Sequence, residues 1–150
     1  VLRDVRGYPA DGPFTRFPRE VAWRRVALEA SDASRLYCVT DPGWEALTRG
    51  TSRFQDGAGN VHEITDGTGD INARILSLTD AMARDKKPSE MGELLGLEYD
   101  RGVVLFEGHR RAAAYIIRGA LEEASAIVGR SSRAGEWHWL PPSLRQGFGS

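Results

Sequence analysis

The densest chemistry in the chain lies in Val103-Val104-Leu105-Phe106-Glu107-Gly108-His109-Arg110-Arg111-Ala112-Ala113-Ala114-Tyr115. The apolar run 103–106 predicts a buried strand. Gly108 breaks it, and residues 109–123 return to helical spacing through Ala112, Ala113, Ile116, Ile117 and Ala120. The first turn of that helix is therefore His-Arg-Arg. A helix N-terminus carries about half a positive charge, so each cation there costs about 0.3–1 kcal/mol. An anion held by the free N–H groups and the side chains would offset that cost. Gly108 would allow its close approach. Glu107 would hold His109 or an arginine in place, or act as a base. The same residues also fit a plain surface, with Arg110 and Arg111 paired to carboxylates and His109 a ring at the edge of the core.

The elements that must position this unit are legible to differing degrees. Residues 1–17 read as an irregular arm packed by Tyr8, Phe14 and Phe17, and residues 18–30, opened by Pro18 and ended by Ser31-Asp32, read as a helix. Residues 35–40 are aromatic and β-branched and predict a strand, followed by a short helix from Pro42 to Gly50. Residues 51–69 are rich in Gly, Asn and Asp and predict a hairpin or a long ordered loop, with 61–64 as a strand; Gly57-Ala58-Gly59 and Gly67-Thr68-Gly69 read as turns. Asp70 is placed to cap a helix whose stripe is Ile71, Ile75, Leu78 and Met82. Leu94, Leu95, Leu97 and Tyr99 precede a turn at Asp100-Arg101-Gly102. Residues 125–128 read as a last strand, and 135–142 as an aromatic segment in which Trp137 and Trp139 cover the core. The expectation is one α+β domain over 1–150: an arm and helix (1–34), a core with a small mixed sheet and packed helices (35–130), and a closing segment and tail (131–150).

Bulk properties exclude several function classes. Lys plus Arg is 20 and Asp plus Glu is 21, a formal charge of −1, too balanced for a protein that coats nucleic acid. Only Lys86 and Lys87 are lysines, which leaves 18 arginines, the better bidentate phosphate ligand. Cys38 is the lone cysteine and the three histidines are scattered, so neither an intrachain disulfide nor a structural zinc site is expected. No apolar run approaches the roughly 18 residues of a membrane span and no signal peptide is evident, so a cytoplasmic domain is expected.

The segment Leu105-Phe106-Glu107-Gly108-His109-Arg110-Arg111-Ala112-Ala113-Ala114 resembles the signature of the ParB/sulfiredoxin superfamily, in which a strand leads through Gly-x-(His/Arg)-Arg into a helix. The likeness spans about residues 35–130; outside the motif it lies in the order of elements. It implies a nucleotide ligand (ATP, ADP or CTP) with Mg²⁺, with Gly108, His109, Arg110 and Arg111 as the phosphate loop. Arg53, in Thr51-Ser52-Arg53-Phe54, would match the early arginine of partition-type members.

Two departures narrow this. Sulfiredoxins place Cys after the loop glycine, and this chain has His109, so sulfinic-acid reduction is disfavoured. About 27 residues follow Glu123, too few for the helix-turn-helix domain of partition proteins, so a stand-alone nucleotide domain is expected and DNA is a disfavoured partner. The leading expectation is a nucleotide-dependent phosphotransferase or phosphohydrolase acting on a small molecule, with Glu107 (or, less well supported, Glu63) as the activating carboxylate and His109 as donor or proton shuttle. The alternatives are a non-catalytic nucleotide-responsive module and a ParB-like nuclease. No protein metal site can be assembled from these residues. Gly129-Arg130-Ser131-Ser132-Arg133 is a weaker candidate for a second anion contact.

Overall fold

Residues 103–106 are apolar at every position because the strand they form is buried on both faces. In the computed structural model, which describes residues 16–144, Leu105 packs into one core while Val104 and Phe106 pack into another on the opposite side. The strands are β1 (Ala22–Ala27), β2 (Leu36–Cys38), β3 (Leu94–Tyr99), β4 (Gly102–Glu107) and β5 (Ser125–Arg130), and they form one mixed sheet in the order β1-β5-β3-β4-β2. β3 and β4 make an antiparallel hairpin. β5 joins β3 in parallel, β2 joins β4 in parallel, and β1 closes on β5 antiparallel. The fold is α+β.

Four α-helices have both ends among the described residues: α1 (Pro42–Thr48), α2 (Phe54–Asn60), α3 (Ile71–Arg84) and α4 (His109–Arg118). They cover one face of the sheet, where Trp44, Leu47, Phe54, Ile75, Ala112, Ala113 and Tyr115 meet Leu36, Leu94 and Leu105. On the other face Trp137, Leu140 and Leu144 lie against Leu97, Val104 and Phe106, and Phe17 packs edge-on to both Phe106 and Trp137. Trp137 is fully buried, so it covers the core as its sequence context predicts. Thr40 ties this closing segment to the end of β2, its N–H donating to the Trp139 carbonyl and its hydroxyl to that of Leu140. Tyr8 and Phe14 of the expected arm, and the tail beyond 144, lie outside the described residues.

Three expectations are corrected. Residues 18–30 are not a helix: 22–27 form β1, paired from Ala22 with Arg130 to Ala27 with Ser125, and Ala30–Arg35 is a 3-10 helix. The segment has helix-compatible composition, but pairing with a strand about a hundred residues later overrides local propensity. Residues 51–69 are not a hairpin, and 61–64 are not a strand. Phe54–Asn60 is α2, and Gly57 and Gly59 lie inside it. Gly57 faces α1, where a Cβ would make ordinary contact with Thr48 at 3.4 Å and Trp44 at 3.5 Å. Gly67 and Gly69 do serve turns, each with positive φ. The helix expected over 109–123 stops at Arg118, where Gly119 takes the left-handed conformation, and a 3-10 turn follows at Leu121–Glu123.

Candidate functional site

Gly108 joins β4 to α4 with φ +94°, in the left-handed region. A Cβ here would fall 2.5 Å from Leu94 Cδ2 and 3.2 Å from Arg111 Nη2, so only glycine fits. The first intrahelical bond runs from the Ala112 N–H to the Gly108 carbonyl at 2.8 Å. The N–H groups of His109, Arg110 and Arg111 therefore have no acceptor within the helix. The first turn contains no acidic residue and no side chain caps it.

The three side chains of that turn go to different places. His109 turns inward, and its Nε2 donates to the Leu105 carbonyl at 2.8 Å. A carbonyl can only accept, so the other ring nitrogen is the bare one in the neutral ring. The ring stacks on Phe54 (5.4 Å, 28°) and tilts against Trp44 (5.8 Å, 53°). Burial pushes its pKa below the ordinary histidine value, and the Arg110 charge acts in the same sense. The Leu105 hydrogen bond and the charges of Asp41 and Glu107 oppose them. Arg111 lies along the molecule: Nη1 donates to the Met91 carbonyl, and Nη2 stands 3.9 Å from Glu107 Oε1. Its guanidinium passes beside Gly92, where a Cβ would approach Nη1 to 3.1 Å. Arg110 alone of the three is exposed.

Of the two uses of Glu107 that the sequence leaves open, the holding one has a partner in place, since the carboxylate faces Arg111 four residues on. Arg53 is exposed at the N-cap position of α2, its backbone bridging Tyr37, one residue before the ring that stacks on His109. Arg53 thus belongs to the same neighbourhood. Glu63 and His62 are exposed in the turn after α2. In the 129–133 loop, Arg130 pairs with Glu98 and Arg133 with Glu136.

Two carboxylates join the site that sequence reasoning did not select for chemistry. Asp41 caps α1 by accepting from the Trp44 N–H at 3.0 Å. Asp70 stands at the N-cap position of α3 but makes no cap bond; its carboxylate takes Arg74 Nε at 2.5 Å instead. That hydrogen bond, with the charges of Arg74 and Arg110, holds the Asp70 carboxyl below the usual range. The starts of α1 and α3 touch, since a Cβ on Gly43 would reach Ile71 Cδ1 at 2.6 Å and Asp41 Oδ2 at 3.2 Å. Through Trp44 on His109, the start of α4 joins them. The sequence marks each helix start separately, but no local signal says that they meet.

Among the described residues no group of three or more His, Cys, Asp or Glu side chains is placed to hold a metal ion. Mg²⁺ commonly takes one or two carboxylates and completes its shell with phosphate and water, and Asp41 and Asp70 are donors of that type. A groove lined by Arg16, Phe17, Arg133 and Glu136 lies by the closing segment, away from α4. No helix among the described residues is long and apolar enough to cross a membrane.

No protein-family model, curated protein or solved structure matches the chain.

Proposed function

We propose that the start of α4 binds the phosphate groups of a Mg²⁺-nucleotide. The observation that carries this reading is a helix start with three N–H groups lacking intrahelical acceptors, no acidic residue in its first turn, and an exposed Arg110 beside them. The likeness to the ParB/sulfiredoxin superfamily supports it: apolar strand, left-handed Gly108, His-Arg-Arg helix start, with α3 before and β5 after. Cation ligation would draw on Asp41 and Asp70, in competition with their present bonds to the Trp44 N–H and to Arg74. Arg53 would reach the ligand from the start of α2.

Two readings of the consequence remain in play. In the first, the domain is a phosphotransferase or phosphohydrolase for a small molecule, and Glu107 activates the attacking group. In the second, binding is the whole function and the response passes to a partner. The inward-turned His109, bonded to Leu105, and the Glu107 carboxylate facing Arg111 favour the second, because both groups are engaged in the fold.

A thermal-shift panel of ATP, ADP, CTP and GTP with Mg²⁺ tests the binding. A ligand at about a hundred times its Kd stabilises the fold by about 2.7 kcal/mol. Arg110→Ala should leave unliganded stability within about 0.5 kcal/mol, as for an exposed site, and should abolish the shift. An undiminished shift in that variant sinks the assignment. Phosphate release in the presence of hydroxylated acceptors separates the two readings.

A further inference from the structure

Strand β1 ends the sheet, and the direction of its main-chain groups is fixed by its pairing. The Leu28 N–H donates to the Ala124 carbonyl at 3.2 Å, one step beyond the pair Ala27 with Ser125. In an antiparallel pair, hydrogen-bonded and non-hydrogen-bonded positions alternate. Ala22, Arg24 and Val26 therefore share the inward set with Leu28. The N–H and C=O groups of Trp23, Arg25 and Ala27 point away from β5, where no described strand lies.

The side chains around this edge have a definite character. Trp23 is 43% exposed, one of two large hydrophobic side chains exposed in the described structure. Its ring stacks on Phe17 at 6.2 Å and meets Phe106 edge-on, so it is held in place as a platform. Arg25 lies two residues on, on the same face. Its side chain is 70% exposed and bonds Glu93 Oε1 at 2.7 Å. On the opposite face Arg24 and Arg130, 52% and 66% exposed, share one carboxylate, Glu98, which is 21% exposed. Over the middle of the strand three exposed guanidiniums thus stand outside two recessed carboxylates, a local excess of one positive charge, while the exposed Glu20 and Glu29 flank its two ends.

This pattern discriminates among occupants. Two copies of β1 paired about their centre would set arginine opposite arginine, a destabilising arrangement for directly opposed like charges. An acidic strand has the opposite outcome. We propose that the β1 edge is a docking site for an extended acidic segment of another polypeptide, added antiparallel as a sixth strand. The segment's main chain bonds Trp23, Arg25 and Ala27. Its side chains place an apolar group on Trp23 and carboxylates opposite Arg24 and Arg25, which in antiparallel order is a Glu-Glu-Val core.

The test uses the full chain and two capped peptides, with Glu-Glu-Val and Lys-Lys-Val cores between threonines. Amide exchange and chemical shifts are followed by NMR. The Glu peptide should bind, with new exchange protection at the amides of Trp23, Arg25 and Ala27. The Lys peptide and the Arg25→Glu variant should each bind about tenfold more weakly, because an attractive cross-strand pair becomes repulsive. Trp23→Ser should also weaken binding while the folded spectrum is retained. If Arg25→Glu does not fold, salt titration of wild-type binding replaces it, and affinity for the Glu peptide should fall as salt rises. Equal binding of both peptides, protection elsewhere, protection of β1 through self-association, or no binding would each overturn the proposal. In the last case the arginines serve only to guard a bare edge.

Discussion

Replacing Gly108 with alanine separates what the fold requires of this glycine from what a ligand would require. The backbone there has φ +94°, and holding an L-residue in the left-handed region costs about 1–2 kcal/mol. The added methyl would also stand 2.5 Å from Leu94 Cδ2, and Leu94 is fully buried on β3, with little room to yield. Overpacking of this kind costs about 1–3 kcal/mol. The total is about 2–5 kcal/mol, a large share of the 5–15 kcal/mol typical of a domain. Denaturant unfolding without nucleotide measures it directly. Gly119→Ala is the control, because Gly119 also has positive φ (+62°) but nothing lies within 4 Å of its Cβ position, so only the conformational cost of about 1–2 kcal/mol applies. The excess at Gly108 should shrink when Leu94 is also cut to alanine, as expected for two groups in contact. If Gly108→Ala alone is as stable as the wild type, Gly108 does not serve the fold and the packing account is wrong.

Other perturbations have equally definite outcomes. His109 has a folded pKa below its unfolded value near 6.5, so its contribution to stability is complete above pH 6.5 and is lost as pH falls through 6.5 toward the depressed folded value. Between those two values stability should drop with a limiting slope of about 1.4 kcal/mol per pH unit, and denaturant titrations of His109→Gln should lack that component. Arg111→Met removes the bond to the Met91 carbonyl that ties the start of α4 to the segment before β3. It should cost about 1.5–3 kcal/mol of unfolding free energy, the range for a charge-assisted bond. Cys38 is fully buried and its thiol is pushed up to about 12, chiefly by burial. Thiol reagents at pH 8 should label it only after denaturant is added, and rapid labelling of the native protein would contradict its placement in the core.

The parts of this fold legible in the sequence are those whose signals are local. The α3 stripe through Ile71 and Ile75, the apolar β4 run and the Gly108 break each act within a few residues, and each appears where periodicity puts it. The β1 strand was illegible because it lies at an edge, exposed at most of its positions, so it shows no clean alternation. Its identity comes from β5. The glycines of α2 mask a usable stripe: Phe54, Ala58 and Val61 recur at i, i+4 and i+7, and all three are buried. The site was legible at Gly108 through Arg111 as residue types, but not as side-chain directions. That Arg111 bonds the Met91 carbonyl and that His109 packs against Trp44 and Phe54 depend on segments 20 to 65 residues upstream. The approach of Asp41 and Asp70 to the α4 start is tertiary for the same reason.

The pairing of β1 with β5 also has a consequence in time. Among the described strands, the earliest in the chain has its sheet partner in the latest. Until residue 130 is free to fold, residues 22–27 have no ladder to join, and their composition suits a helix better than a strand. The growing chain therefore holds a segment whose local preference contradicts its final state, a conflict resolved only by a contact of long sequence separation. Folding of the sheet edge should be a late event, and a chain cut before Ser125 should show helix at 22–27, where the 150-residue chain shows strand.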